Sequence, residues 1–224
     1  GQGHFRALSR LALPCTSSFS MGVDFADLNR DGFDDFFVLD MQSPDPVRRM
    51  TQAARDEPPA STIGLPAERP QIERNTLLVN RGDGTYAEIA EFSGVPGTEW
   101  SWCPMFLDVD LDGYEDLLIT CGYGFDTQDR DADNQITRMG PWPREKVPFK
   151  LLQYPRLPLP CVAFRNRGDL TFTDVSAAWG FNTVGYSQGM AAGDLDNDGD
   201  LDVVVNPLNA EAGLYRNDAA AARV

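Results

Sequence analysis

The stretch Asp194-Leu195-Asp196-Asn197-Asp198-Gly199-Asp200-Leu201-Asp202 runs directly into Val203-Val204-Val205. Oxygen-bearing side chains at positions 1, 3, 5 and 9, with glycine at 6 for a sharp turn, are what a hard cation such as Ca²⁺ requires of a short loop. The arrangement occurs three times. Asp27-Leu28-Asn29-Arg30-Asp31-Gly32-Phe33-Asp34-Asp35 precedes Phe36-Phe37-Val38-Leu39, and Asp108-Val109-Asp110-Leu111-Asp112-Gly113-Tyr114-Glu115-Asp116 precedes Leu117-Leu118-Ile119. The candidate ligands are therefore Asp27, Asn29, Asp31 and Asp35, then Asp108, Asp110, Asp112 and Asp116, and last Asp194, Asp196, Asp198 and Asp202.

An EF-hand shares this opening but needs a bidentate Glu at position 12 and a helix on each side. Position 12 is Val38, Ile119 or Val205. Each loop instead runs into a short apolar, partly β-branched segment of strand type. The three are read as nine-residue cation loops, each joining two antiparallel strands.

Working outward, Asn80 to Ser101 and Asn166 to Ser187 each span 21 residues. Laid over each other, Arg81-Gly82-Asp83-Gly84-Thr85-Tyr86-Ala87-Glu88-Ile89 matches Arg167-Gly168-Asp169-Leu170-Thr171-Phe172-Thr173-Asp174-Val175. Carrying that offset back from Phe19-Ser20 puts Gly1 to Leu8 in the same register. One repeat then reads as four strands. Strand A enters the cation loop (Gly22 to Ala26, Cys103 to Leu107, Gly189 to Gly193) and strand B leaves it. Strand C ends in Asn (Thr76 to Asn80, Cys161 to Asn166, Ala212 to Asn217), and a Gly-containing turn leads to strand D (Thr85 to Ala90, Thr171 to Ser176, His4 to Ser9). Strand B lacks apolar alternation, as expected when neighbouring sheets cover both its faces. Four-stranded sheets stacked around an axis make a β-propeller, so the chain is expected to be all-β, with about three blades' worth of twelve strands. Closed propellers have about 4 to 8 blades, so further blades or other chains are expected to complete it. The expected divisions are strand D in 1–19, blades at 20–100 and 101–186, a partial blade at 187–217, and a tail at 218–224.

Between strands B and C, Asp202 to Asn217 spans 15 residues, but Asp35 to Asn80 spans 45 and Asp116 to Asn166 spans 50. The first two connections thus carry insertions, expected on the face opposite the cation loops. The first, Met41 to Arg74, has a short helical stretch starting at Pro46 and running to Arg55. The second, Gly122 to Pro160, holds Trp142, Phe149 and Tyr154, and is expected to pack in an ordered way.

With 42% hydrophobic residues, 13 Phe and 4 Trp, the 224 residues can build a sizeable core. The net charge of −15 argues against nucleic acid and anionic membranes as partners. No apolar run is long enough to span a bilayer. Gly1 opens the chain with neither Met nor a signal peptide, so location rests on the loops, whose calcium chemistry suits the extracellular, cell-surface or periplasmic space. Of the four cysteines, Cys103 and Cys121 are expected to be cross-strand neighbours, since a hairpin centred on the second loop sets Asp108 opposite Asp116. A disulfide or two buried thiols would both fit there, and Cys15 and Cys161 have no deducible partner.

The strand, acidic loop and strand, followed by Asn-Arg-Gly-Asp-Gly-Thr-Tyr (80–86) or Asn-Arg-Gly-Asp-Leu-Thr-Phe (166–172), resemble the FG-GAP (VCBS-type) repeats of the integrin α-subunit propeller. They look closer still to bacterial relatives of cartilage acidic protein, which typically carry an ASPIC/UnbV segment after the propeller; such a segment would lie beyond Val224. The resemblance implies Ca²⁺ at all three loops, with the backbone carbonyl of position 7 (Phe33, Tyr114 or Asp200) as a further ligand, and a role in cell adhesion.

Arg81-Gly82-Asp83 and Arg167-Gly168-Asp169 spell the tripeptide integrins recognise, but both fall in the C–D turn, where turn geometry demands Gly and Asp. Asp129-Arg130-Asp131-Ala132-Asp133-Asn134 could be a fourth cation loop, though it lacks the glycine and reads more readily as a solvated acidic loop. His4 is the only histidine, which excludes His-based triads and multi-His metal centres. The expected function is a calcium-binding module outside the cytoplasm that binds a protein or glycan through its inserted loops. A carbohydrate-active enzyme of propeller fold and a structural subunit of a surface assembly are the alternatives.

Overall fold

A computed structural model describes residues 3–5, 7, 10–52 and 70–219. Its first part holds β1 (Thr16–Ser17), β2 (Val23–Ala26), β3 (Asp35–Val38), helix α1 (Pro46–Thr51), β4 (Gln71–Ile72), β5 (Thr76–Asn80), β6 (Tyr86–Glu88) and helix α2 (Ala90–Ser93). The middle holds β7 (Ser101–Leu107), β8 (Asp116–Cys121), helix α3 (Arg130–Arg138) and helix α4 (Val147–Lys150). The last part holds β9 (Leu159–Pro160), β10 (Val162–Asn166), β11 (Phe172–Asp174), β12 (Val184–Gly185), β13 (Ser187–Gly193), β14 (Asp202–Pro207) and β15 (Gly213–Tyr215).

Three antiparallel sheets carry the fold, in the orders β2-β3-β5-β6, β7-β8-β10-β11 and β13-β14-β15. Short ladders β1-β4 and β9-β12 flank them. The protein is mostly β-sheet, as its sequence implies, and among the described residues no sheet closes on itself.

The sheets stack face to face through β8, whose six residues are all buried. Successive side chains of a strand point to opposite faces. Leu117, Ile119 and Cys121 accordingly join Phe37, Leu39 and Leu77 of the first sheet, while Leu118 joins Val203 and Val205 of the third. Buried on both faces, the strand has no polar side to alternate with. Hydrogen bonds also join neighbouring sheets: Phe106 N donates to Asp24 Oδ2 at 2.7 Å, and Thr120 Oγ1 donates to the Gln188 carbonyl at 2.7 Å.

Several expectations are corrected. Cys103 does not face Cys121: the hairpin closes on Leu107 opposite Asp116, so Cys103 lies across from Thr120. The ninth loop residue is already the first residue of the exit strand. That one-residue slip moves every side chain to the other face, and an irregularity between Ser101 and Cys103 then sets Ser101 against Cys121. All four cysteines are free thiols. The stretch Asp129–Asn134 is neither cation loop nor solvated loop, because it starts α3: Asp129 Oδ1 caps the helix by accepting from Ala132 N at 2.9 Å, and Asp131 and Asp133 lie in its first turn. For His4 to Ser9, residues 4, 5 and 7 carry no strand, and 6, 8 and 9 lie outside the described residues. The last strand C is confined to Gly213–Tyr215. Helix α1 starts at Pro46 as expected, with Asp45 as its cap. It ends at Thr51, and residues 53–55 are outside the described residues.

β3 and β8 run away from their acidic turns, so both insertions leave from the far end of their sheets. There they meet. Arg48 of α1 donates through Nη1 to Asp126 Oδ2 at 2.6 Å and through Nε to Glu99 Oε2 at 2.8 Å. Gln52 Nε2 donates to Gln128 Oε1 at 3.1 Å.

Candidate metal centres

The three acidic loops follow one backbone path. Position 4 has positive φ in each (Arg30 59°, Leu111 57°, Asn197 62°), and so does the position-6 glycine (Gly32 86°, Gly113 95°, Gly199 100°). The second requirement is why glycine stands there. In each loop the position-5 carboxylate accepts from the N–H of position 7: Asp31 from Phe33 at 2.9 Å, Asp112 from Tyr114 at 3.0 Å, Asp198 from Asp200 at 3.3 Å. Position 1 accepts from the turn in its own way in each loop: Asp27 from Asp31 N and Gly32 N, Asp108 from Gly113 N, Asp194 from Asn197 N.

Position 9 acts as a strut. Asp35, Asp116 and Asp202 are 0%, 0% and 3% exposed. One oxygen of each accepts from the N–H of position 2 (Leu28 3.2 Å, Val109 3.0 Å, Leu195 3.0 Å). The other accepts from the N–H of the asparagine that ends or follows strand C (Asn80 2.8 Å, Asn166 2.9 Å, Asn217 2.8 Å). Burial pushes the Asp35 carboxyl up to about 6 and that of Asp116 to about 7, the backbone donors offsetting only part of the effect. Burial, then repulsion from Asp112, also raises Asp110, against the pull of Arg165.

Asp108, Asp110 and Asp116 each place a carboxylate oxygen within 4.8 Å of the others, as do Asp194, Asp196 and Asp198. Asp112 and Asp202 stand outside these trios. In the first loop the third position is an amide, and Asn29 Nδ2 donates to Asp31 Oδ2 at 2.9 Å. Among the described residues, Asp108 Oδ1 and Asp200 Oδ1 are buried with no hydrogen-bond partner. A buried carboxylate oxygen left unpaired is costly, and the second loop's converging anionic oxygens, the orphan of Asp108 beside them, fit a divalent cation. Of the position-7 residues, Phe33 and Tyr114 lay their rings against Gly82 and Gly168, where a Cβ would come within 3.0 and 3.1 Å of ring carbons. Those glycines, at φ 71° and 74°, belong to the two Arg-Gly-Asp turns. There Asp83 and Asp169 accept from Thr85 N and Thr171 N at 2.9 and 3.0 Å, so turn geometry accounts for the tripeptide.

Two sets of residues escaped the sequence reading. The asparagines also clamp neighbouring sheets: Asn166 Nδ2 donates to the Leu28 carbonyl at 3.3 Å, and Asn217 Nδ2 to the Val109 carbonyl at 2.9 Å. Their recurrence at the end of strand C was the available signal. The second set is Arg165 and Arg216, which reach the acidic loops beside them. An arginine twice preceding that asparagine was the clue. No curated protein matches the chain. Residues 161–205, from just before β10 through the third acidic loop and into β14, carry an FG-GAP-like repeat.

Proposed function

We propose that the chain is part of a calcium-binding β-propeller of FG-GAP type, working outside the cytoplasm as a binding or assembly module. The observation that carries this reading is the triple recurrence of one acidic hairpin, each with the same positive-φ positions and the same buried aspartate strut. Ca²⁺ would be held by the carboxylates of positions 1, 3 and 5, with Asn29 at position 3 of the first loop. Position 9 and the position-7 carbonyl would complete each set. Bound there, it would neutralise the crowded acidic groups and stiffen each turn.

Two features support a longer propeller. The asparagine clamp ties the second sheet to the loop of the first and the third to the loop of the second, a rule that can be repeated around an axis. Both ends of the stack also present apolar residues: Val23 and Phe25 on the first sheet are 53% and 57% exposed, and Leu214 on the third is 65% exposed. Such faces are where further sheets would pack.

The insertions, bridged by Arg48, would present a joint surface to a protein or glycan. A glycan array run with a turnover assay on acidic polysaccharides tests this. Saturable binding without cleavage products supports the module. Products would instead make the chain a carbohydrate-active enzyme.

A further inference from the structure

The loops differ in how their acidic groups are balanced. In the first, position 3 is Asn29 and the residue before the strand-C asparagine is the buried Val79. In the second and third, position 3 is aspartate and the corresponding residue is arginine. Arg165 Nε lies 2.7 Å from Asp110 Oδ2, and its Nη2 2.9 Å from Asp112 Oδ2. Arg216 Nε lies 3.0 Å from Asp196 Oδ2 and 3.0 Å from Asp218 Oδ1, with Nη2 3.6 Å from Asp198 Oδ2. Wherever a loop carries the additional carboxylate, a guanidinium spans positions 3 and 5.

We propose that Arg165 and Arg216 are built-in counter-ions that hold the second and third loops together without metal and oppose the entry of a divalent cation. This rests on the cation reading of the loops. The oxygens the forks occupy belong to the groups a cation would use, and a guanidinium and a dication a few ångströms apart repel. The arginine side chains are 48% and 61% exposed, so each can swing into solvent as the cation enters. The calcium concentration at which these loops fill is thereby set by the arginine as well as by the carboxylates.

The test is a terbium titration of the chain and of Arg165→Val, which installs the residue of the first repeat, with calcium competing. Tyr114 stands at position 7 of the second loop only, so terbium emission excited through it reads that loop, with Tyr114→Phe as the blank. Arg165→Val should bind on the order of tenfold more tightly, while its metal-free melting temperature falls. Arg165→Lys keeps the charge and should stay near the parent affinity. If the parent binds terbium and calcium but Arg165→Val binds no more tightly, the arginine proposal is overturned and the cation sites stand. If neither the parent nor Arg165→Val binds either ion, both fail.

Discussion

Asn166 donates its side-chain N–H to the Leu28 carbonyl across 138 residues of sequence, at 3.3 Å. It is 1% exposed, and it also bonds the Glu115 carbonyl and, through its own N–H, Asp116. Asn166→Ala should cost about 2 kcal/mol, since it strands carbonyls in two acidic loops. Asn80, whose amide reaches Asp34 O and Tyr86 Oη, both at 3.3 Å and both within its own sheet and hairpin, should cost less on the same change. Urea unfolding of both variants checks the order.

The strut at position 9 should matter more. Asp116→Ala leaves the N–H groups of Val109 and Asn166 without their acceptors and opens a gap beneath the second loop. A loss of roughly 3 kcal/mol or more is expected. Circular dichroism melts should show it whether or not calcium is present, unlike a change confined to metal binding.

The pH response follows from burial. Asp35 and Asp116 hold their protons to about 6 and 7 in the folded chain, whereas in the unfolded chain they ionise near 4. Their contribution to stability is full below about pH 4 and is lost as pH rises through 6 and 7. In EDTA, the melting temperature should therefore rise as pH is lowered from 7.5 to 5. A flat or falling trend over that window would show that these carboxylates are not strained in the metal-free fold.

The cysteines should behave as thiols. Cys121 and Cys161 are buried, and burial pushes both thiols up. Native-state alkylation should label Cys15 and Cys103 well before the other two, and dithiothreitol should leave the melt unchanged. A Cys103–Cys121 cross-linked peptide in a non-reducing digest would contradict the observed register.

What the sequence disclosed came from local chemistry repeated at fixed offsets. Gly32, Gly113 and Gly199 mark turns that only glycine makes easily, so the hairpins and the strands beside them could be read directly. The Cys103 pairing went wrong because strand register depends on whether Asp116 ends the loop or begins the strand, and the spacing leaves both open. Asp129 to Asn134 was misread because acidic residues serve equally as ligands and as the cap and first turn of a helix. The contacts of Arg48 with Asp126, and of Arg165 with Asp110, join segments far apart in the chain. No local pattern announces them.

The most direct measurement is calcium stoichiometry by native mass spectrometry, paired with thermal unfolding of the chain and of Asp198→Ala. Three calcium ions per chain should bind, with EDTA lowering the melting temperature and Asp198→Ala removing one ion and part of the calcium-induced gain. A chain that binds no calcium, and whose unfolding ignores both EDTA and the substitution, would contradict the claim that these acidic hairpins are cation sites.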